Sequence, residues 1–389
     1  MDYYLLSQLI NGVIFGLIYA LIALGLTIVF SIMRVVNFSH GEFYMLGGYT
    51  LYALTSGAVT FFSIPLSMPT IIGLPIAMVA VAIFAIVVER GLLRPVYTVR
   101  MDRPEEYAII LTFGLSLFLQ YGALTAVGPY EMTPGAFWEG SKHILGDLYL
   151  AGDRLFATGV SVLLIAITIY FIYGTWTGRA LMATAQNRVG STVVGINTVR
   201  MNMIAMALAG LLAGAAGAAM APIFLVYPDV GQIPVIKAFV IIVLGGMGSI
   251  PGAVVAAIIL GIVESLGSVY LSVAYRDVFA FLVLIGVLLF RPHGLFGQKE
   301  RRACPSLRKQ LCHWQWSVDW PFHFYCTTSL TLSALRHPCC TSLFCHHPGT
   351  CCWVMQGSCP LHTRLSLESA PTPRDCSALD FLVRISVPA

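Results

Sequence analysis

Apolar residues run for membrane-crossing lengths through the first 303 positions, with short charged breaks between the runs. The runs cover Leu5–Met33, Phe43–Ile64, Leu74–Val88, Tyr107–Val127, Leu155–Tyr173, Met201–Val226, Ile236–Val263 and Val278–Phe290. A helix needs about 20 mostly apolar residues to cross a bilayer. The pattern therefore predicts an all-α integral membrane protein, a polytopic bundle of about eight transmembrane helices. Gly and Pro break the seventh run, which marks it as an irregular segment.

The breaks set the orientation. Arg90, Arg94, Arg100 and Arg103 crowd the 89–106 break, Arg179, Arg188 and Arg200 the 178–200 break, and Arg291, Lys299, Arg301 and Arg302 follow the last run. Basic residues gather on the cytoplasmic side of short loops, so these three breaks are expected there. The 128–154 loop carries Glu131, Glu139, Asp147 and Asp153 against Lys142 and Arg154 and reads as periplasmic. One inconsistency remains. Three full spans after Arg200 would put Arg301 outside, so the broken seventh run is either re-entrant or miscounted.

Composition agrees with a lipid-facing surface. Only 10% of residues are charged, against roughly a quarter in soluble domains, and the mean hydropathy is +0.82. A net charge of +4 gives no reason to expect nucleic-acid binding. The start, MDYYLLSQL, lacks the basic region of a secretory signal peptide and reads as a retained first span.

Three stretches stand out from generic membrane helix. Val35–Tyr49 places Asn37, Ser39, His40 and Glu42 among apolar residues and glycines. Ionisable groups at membrane depth are costly and face a cavity or a partner, and a glycine-interrupted helix can cradle a small charged solute. The competing reading is a plain interfacial loop. Lys237–Ala253 carries Gly245, Gly246, Gly248, Pro251 and Gly252, which cannot continue as regular helix. It is expected to be a tight turn or re-entrant element, with Gly245, Gly246, Gly248 and Pro251 as further candidates for the translocation path. Glu264, just beyond, is either interfacial or paired with a neighbour. In Gly178–Met201, the residues Leu181, Ala185, Val189, Thr192 and Ile196 follow helical spacing, which suits a short amphipathic helix lying against a partner.

Catalytic patterns are missing. There is no G-x-x-x-x-G-K-[ST] phosphate loop, no H-E-x-x-H and no G-x-S-x-G. His before residue 304 is limited to His40, His143 and His293. No metal site, cofactor or enzymatic centre is expected. An ion-coupled secondary transporter is the alternative class. It would need carboxylates within the spans, and Glu42 and Glu264 both lie near apparent span ends.

Taken together and in order, NGVIFGLIYALIALGLTIVF, VVNFSHGEFYMLGGY, LTFGLSLFLQ, GRALMATAQN with VVGIN, KAFVIIVLGGMGSIPGA and the closing VLLFRPHGLFG resemble the permease of branched-chain amino-acid ABC importers, the LivH type. The likeness covers nearly all of Met1 to Arg302. It implies a subunit that forms half of a membrane pore with a second related permease. Two cytoplasmic ATP-binding subunits would drive it and a periplasmic solute-binding protein would supply it, in a bacterial inner membrane. The solute would be leucine, isoleucine, valine or a related amino acid, and related permeases carry urea or short amides. The resemblance further implies that the Gly178–Ile196 segment is the coupling helix that docks on an ATPase, with Gly178, Arg179, Ala185, Arg188 and Gly195 as its candidate residues.

Residues 304–389 differ from the permease domain, residues 1–303. They hold all ten Cys and six of the nine His, but one Lys and one Glu, and show no helical or alternating period. A zinc reading would use Cys339, Cys340, Cys345, His346, His347, Cys351, Cys352 and Cys359, whose spacing lacks the paired regularity of structural zinc sites. A disulfide framework does not suit a segment after a cytoplasmic exit. Out-of-frame translation accounts for this composition, with a disordered natural tail and a metal-binding tail as the alternatives.

Overall fold

The computed structural model describes residues 3–56, 68–98, 103–138, 140–145, 148–270, 276–291, 293–297, 341–347, 350–355 and 365–366. The chain divides into two compact units, Met1–Glu300 and Arg301–Ala389. In the first, the helices are α1 Tyr3–Met33, α2 His40–Ser56, α3 Thr70–Val88, α4 Arg94–Thr98, α5 Pro104–Val127, α6 Gly152–Gly174, α7 Trp176–Gln186, α8 Arg188–Val193, α9 Thr198–Met220, α10 Gln232–Gly245, α11 Ile250–Tyr270 and α12 Arg276–Phe290. A π-helical turn, Glu89–Leu93, joins α3 to α4, and a small antiparallel hairpin, β1 Ser141–Leu145 and β2 Leu148–Ala151, sits in the loop before α6. Six helical stretches among the described residues are long and apolar enough to cross a membrane, and two apolar helices, Gln232–Gly245 and Val278–Phe290, are shorter. The part of the second apolar run beyond Ser56 lies outside the described residues.

The run of Leu, Ile, Ala and Gly in α1 makes it the axis of the bundle. It packs on α6, α9, α10 and α11, and Ile18 through Leu24 are buried on every side. Two of its hydroxyls need no outside partner: Thr27 Oγ1 donates to the Ala23 carbonyl at 2.6 Å and Ser31 Oγ to the Thr27 carbonyl at 2.7 Å. A hydroxyl turned back onto its own helix is satisfied in a medium without water. The tightest seam is α1 against α11. Gly12 faces Ile262 and Gly16 faces Ile258, so the helices run antiparallel, and a Cβ on Gly261 would fall 2.6 Å from the Gly16 backbone. Without a hydrophobic drive between helices in lipid, such close backbone approach supplies the packing.

Contacts between helix ends show which ends lie together. Ser265 Oγ of α11 donates to the Gln8 carbonyl at 2.7 Å, Arg154 of α6 donates to Asn11 Oδ1 at 3.2 Å, and Thr70 of α3 donates to the Gly135 carbonyl at 3.1 Å. The loop expected to be periplasmic therefore gathers at one end of the bundle. At the other end the Tyr97 hydroxyl donates to the Met33 carbonyl at 3.5 Å, and the Arg188 guanidinium stacks 5.1 Å over the Tyr97 ring.

The seventh apolar run needs correction. It is two helices, α10 and α11, joined by a turn at Gly246–Ser249, rather than one broken span. The Leu295 and Phe296 amides donate to the Leu244 and Gly245 carbonyls at 2.8 and 3.0 Å, which satisfies the end of α10 with the chain leaving α12. The ends of α10 and α12 thus lie side by side. Four helices follow Arg200 instead of three, which removes the orientation conflict and brings Arg291 back to the basic end.

In the second unit, three strands, Thr341–His347, Thr350–Met355 and Leu365–Ser366, form an antiparallel sheet in sequence order. The aperiodic reading of the tail did not foresee strands. The two longer ones contain Thr, Phe, Cys, Trp and Val, residues suited to a pleated surface. Cys339, Cys340 and Cys359 lie outside the described residues.

Candidate functional site

The first site begins where α1 ends. Arg34 takes a left-handed conformation, φ 54°, and its amide donates back to the Phe30 carbonyl at 2.9 Å. The chain reverses there and climbs back along α1. His40 Nε2 then lies 3.0 Å from the Ile22 carbonyl, eleven residues, or about 16 Å, short of the end of α1. A carbonyl only accepts, so Nε2 carries the proton of this bond. Asn37 organises the reversal. Its Oδ1 accepts from the Ser39 amide at 3.0 Å and from Ser39 Oγ at 2.7 Å, while its Nδ2 points at Met206 Sδ, 3.8 Å away. Asn37, Ser39 and His40 are fully buried and Glu42 is 2% exposed. The interfacial-loop reading of this stretch is therefore corrected: the polar groups sit inside the bundle.

Glu42 faces α5. Its Oε1 accepts from Ser116 Oγ at 2.9 Å. Its Oε2 has no hydrogen-bond partner among the described residues, and neither do His40 Nδ1 and the Tyr49 hydroxyl. One turn further along α5, the Gln120 amide donates to Asp229 Oδ1 in the loop before α10. A polar seam thus runs between α2, α5 and the 221–231 loop.

The second site was not assembled from the sequence. Lys237 Nζ of α10 meets Glu264 Oε2 of α11 at 2.9 Å, and both side chains are buried. The same ammonium lies 3.3 Å from the Tyr19 hydroxyl of α1 and 5.0 Å from the ring centre. Glu264 is therefore paired within the bundle and is not interfacial. A signal existed: Lys237 stands alone in an apolar helix, Glu264 stands alone in the next, and lone opposite charges in adjacent spans find each other. Lys237, together with Tyr19, Tyr44 and Tyr227, opens onto a cavity of about 520 Å³. Ile18, Ile22, Val230 and Ile233 make its aliphatic wall.

The glycine-rich candidates lie at the tight turn expected in this stretch. Gly246 and Gly248 have φ of 98° and 88° and form the α10–α11 turn, Gly245 packs on the Gly252 backbone, and Pro251 is exposed in the first turn of α11. None of the four lines the cavity.

At the basic end, the short amphipathic helix expected within Gly178–Met201 is divided by two capping residues, Asn187 and Asn197, and Thr175 caps the first piece. Thr175 Oγ1 accepts from the Gly178 amide at 3.0 Å, Asn187 Oδ1 from Gly190 at 2.9 Å, and Asn197 Oδ1 from Arg200 at 3.1 Å. Short polar side chains of this kind start helices, so α7, α8 and α9 each begin anew. Gly178 is buried against the end of α6, Ala185 is half-buried, and Arg188 is held on Tyr97. Arg179 stacks 4.5 Å over Trp176, and Gly195, φ 89°, is exposed just after α8. The periodic pattern did not single out Val193 and Val194, which are 82% and 81% exposed beside Val189 at 74%.

Comparison with known proteins covers most of this bundle. Residues 8–288 match the model of a family described as branched-chain amino acid transport system / permease component. The LivH permease protein of the high-affinity branched-chain amino acid transport system of Salmonella typhimurium is 34% identical over 304 residues, which span 76% of this chain and 97% of that one. Its counterpart in Escherichia coli K12 is 33% identical over 310 residues, spanning 76% and 97%. The BraD permease protein of Pseudomonas aeruginosa is 35% identical over 311 residues, spanning 77% and 97%. A polytopic helical bundle with its basic breaks at one end and near-complete coverage of three such proteins lead to one assignment: the chain belongs to the branched-chain amino acid transport permease family.

Proposed function

We propose that the chain is the membrane-spanning permease subunit of an ABC importer for branched-chain or closely related amino acids. It forms half of a pore with a second related permease, two cytoplasmic ATP-binding subunits drive it, and a periplasmic binding protein delivers the solute. The observation that carries this reading is the near full-length likeness to the LivH and BraD permeases. The chain supplies the membrane path, and ATP hydrolysis belongs to the partners.

The α7–α8 segment is the contact through which those partners act. An exposed apolar triplet on α8, with the exposed Trp176 carrying Arg179 on the preceding α7, is a surface that calls for a protein partner. An ATP-driven closure moves the bundle only as far as the two ATPase states bind this surface differently.

Two measurements test the reading. Vesicles holding the full complex should take up branched-chain amino acids only with internal ATP and external binding protein, and absence of uptake would overturn it. Val193→Asp adds a charge to the exposed triplet without touching the core. It should reduce co-purification with the ATP-binding subunits about tenfold at unchanged membrane insertion. Full co-purification would remove α8 from the contact.

A further inference from the structure

We infer that the cavity beside Lys237 is a transient binding site for the carboxylate of an apolar amino acid crossing the membrane. The inference rests on the importer reading above. It goes beyond that reading by naming where in the chain the solute is recognised and by what chemistry.

Size and lining come first. A volume of about 520 Å³ falls within the roughly 300–1,000 Å³ of small-molecule sites, which combine an apolar wall with a few placed polar groups. Ile18, Ile22 and Ile233 supply the apolar surface, while Tyr227 and Lys237 supply the polar groups. The wall suits an aliphatic side chain, and Lys237 brings the cationic group.

The arrangement of charge selects the ligand. Glu264 is fully buried, does not line the cavity and holds Lys237 Nζ at 2.9 Å. Tyr19, 3.3 Å away, fixes the ammonium further. The ammonium is thereby aimed and partly neutralised. A bare cation at this depth would bind an anion too strongly to release it, since Coulomb attraction grows as the local dielectric falls. Conduction needs a site weak enough to leave. A lysine already sharing its charge with Glu264 meets that need. The solute's carboxylate joins it from the cavity side, and the aliphatic side chain lies on the isoleucines. An amine without a carboxylate meets like charge at the same place and is excluded.

The experiment uses the full chain in lipid nanodiscs and three probes. These are L-leucine, 4-methylpentanoate (leucine without its amino group) and isopentylamine (leucine without its carboxylate). Binding is read by ligand-observed NMR and calorimetry. L-Leucine and 4-methylpentanoate should compete for one site that isopentylamine does not enter. The double variant Lys237→Met with Glu264→Met removes the pair without stranding a charge, and should weaken 4-methylpentanoate binding about tenfold or more. Ile233→Trp fills the cavity with the pair intact and should abolish binding at an unchanged melting temperature. It decides the question alone if the double variant does not fold. Equal binding of isopentylamine, or wild-type affinity in either folded variant, overturns the site. If the assembled transporter takes up leucine with unchanged KM in the double variant, the site falls and the importer reading stands. If the complex carries no branched-chain amino acid while the wild-type chain still binds 4-methylpentanoate through Lys237, the importer reading falls and the anion site stands.

Discussion

Two breaks in the helical pattern look alike in sequence, each a cluster of glycines beside polar residues, yet they are built on opposite principles. The entry to α2 is held by side chains: Asn37 ties down Ser39, His40 reaches a carbonyl of α1, and Glu42 takes the Ser116 hydroxyl. The α10–α11 turn is held by backbone: Gly246 and Gly248 supply positive φ, and the amides of Leu295 and Phe296 dock on the end of α10. The first leaves buried side-chain polar atoms with no hydrogen-bond partner among the described residues, while at the second the last carbonyls of α10 are paired with amides of the chain leaving α12. Orphaned polar atoms in a dry interior carry a standing penalty. That sets the α2 entry apart as a place where buried polar groups oppose stability. The glycine turn serves the fold, fixing the hairpin whose arms carry Lys237 and Glu264.

The largest expected effects fall on that hairpin. Lys237→Ala leaves Glu264 buried without its cation, which should cost about 3–5 kcal/mol and reduce the yield of monodisperse protein in mild detergent. The paired variant Lys237→Met with Glu264→Met should recover most of that yield, because replacing both charges by apolar groups is close to neutral. A single variant as stable as wild type would show that the pair does not hold the two helices. Next, Gly246→Val forces a β-branched residue into φ near 98°, a region essentially reserved for glycine that costs about 1–3 kcal/mol. Its Cβ would also strike Gly297, 2.7 Å from its Cα. The melting temperature should fall while ATP-binding-subunit capture by the remaining folded fraction is unchanged. Loss of capture at an unchanged melting temperature would move the turn from the fold to the coupling machinery.

What the sequence disclosed follows from which physical signal is local. Hydropathy located α1, α3, α5, α6 and α9 to within a few residues, because a membrane helix declares itself by the cost of every polar group within it. The same signal merged α10 and α11, since both are apolar and only the glycines at 245, 246 and 248 separate them. The caps Thr175, Asn187 and Asn197 were present in the sequence, but the apolar spacing from Leu181 to Ile196 outweighed them. Asn37, Ser39, His40 and Glu42 stand out in the sequence as polar residues in an apolar stretch, but their burial depends on the reversal at Arg34, and no residue type announces that. The Lys237–Glu264 pair lies 27 positions apart, and only the hairpin brings it together. The exposed valines of α8 are ordinary in a hydrophobic sequence and become informative once the helix faces water.

Smaller effects sharpen the comparison at the α2 entry. Asn37→Ala removes the acceptor for both the Ser39 amide and the Ser39 hydroxyl. By analogy with helix-start caps it should cost about 0.5–2 kcal/mol. If this entry is functional, transport should fall by more than the lost folded fraction explains. A proportional loss would make Asn37 a structural residue of the same kind as the glycines across the bundle.

The smallest effect runs in the opposite direction. Arg34 holds φ at 54° with a full side chain, a conformation that costs an L-residue roughly 1–2 kcal/mol. Glycine adopts it freely, but loses more entropy on folding, by roughly 0.5–1 kcal/mol relative to alanine. Arg34→Gly should therefore raise stability by at most about 1.5 kcal/mol, seen as a small increase in melting temperature. The side chain is exposed and its charge lies at the basic end of the bundle, where it favours the cytoplasmic orientation. Removing it should leave the topology unchanged, because Arg90, Arg103, Arg188 and Arg200 remain in the breaks assigned to that end. A clear drop in melting temperature would mean that the arginine makes a stabilising contact outweighing its backbone strain, and that both breaks are held in part by side chains.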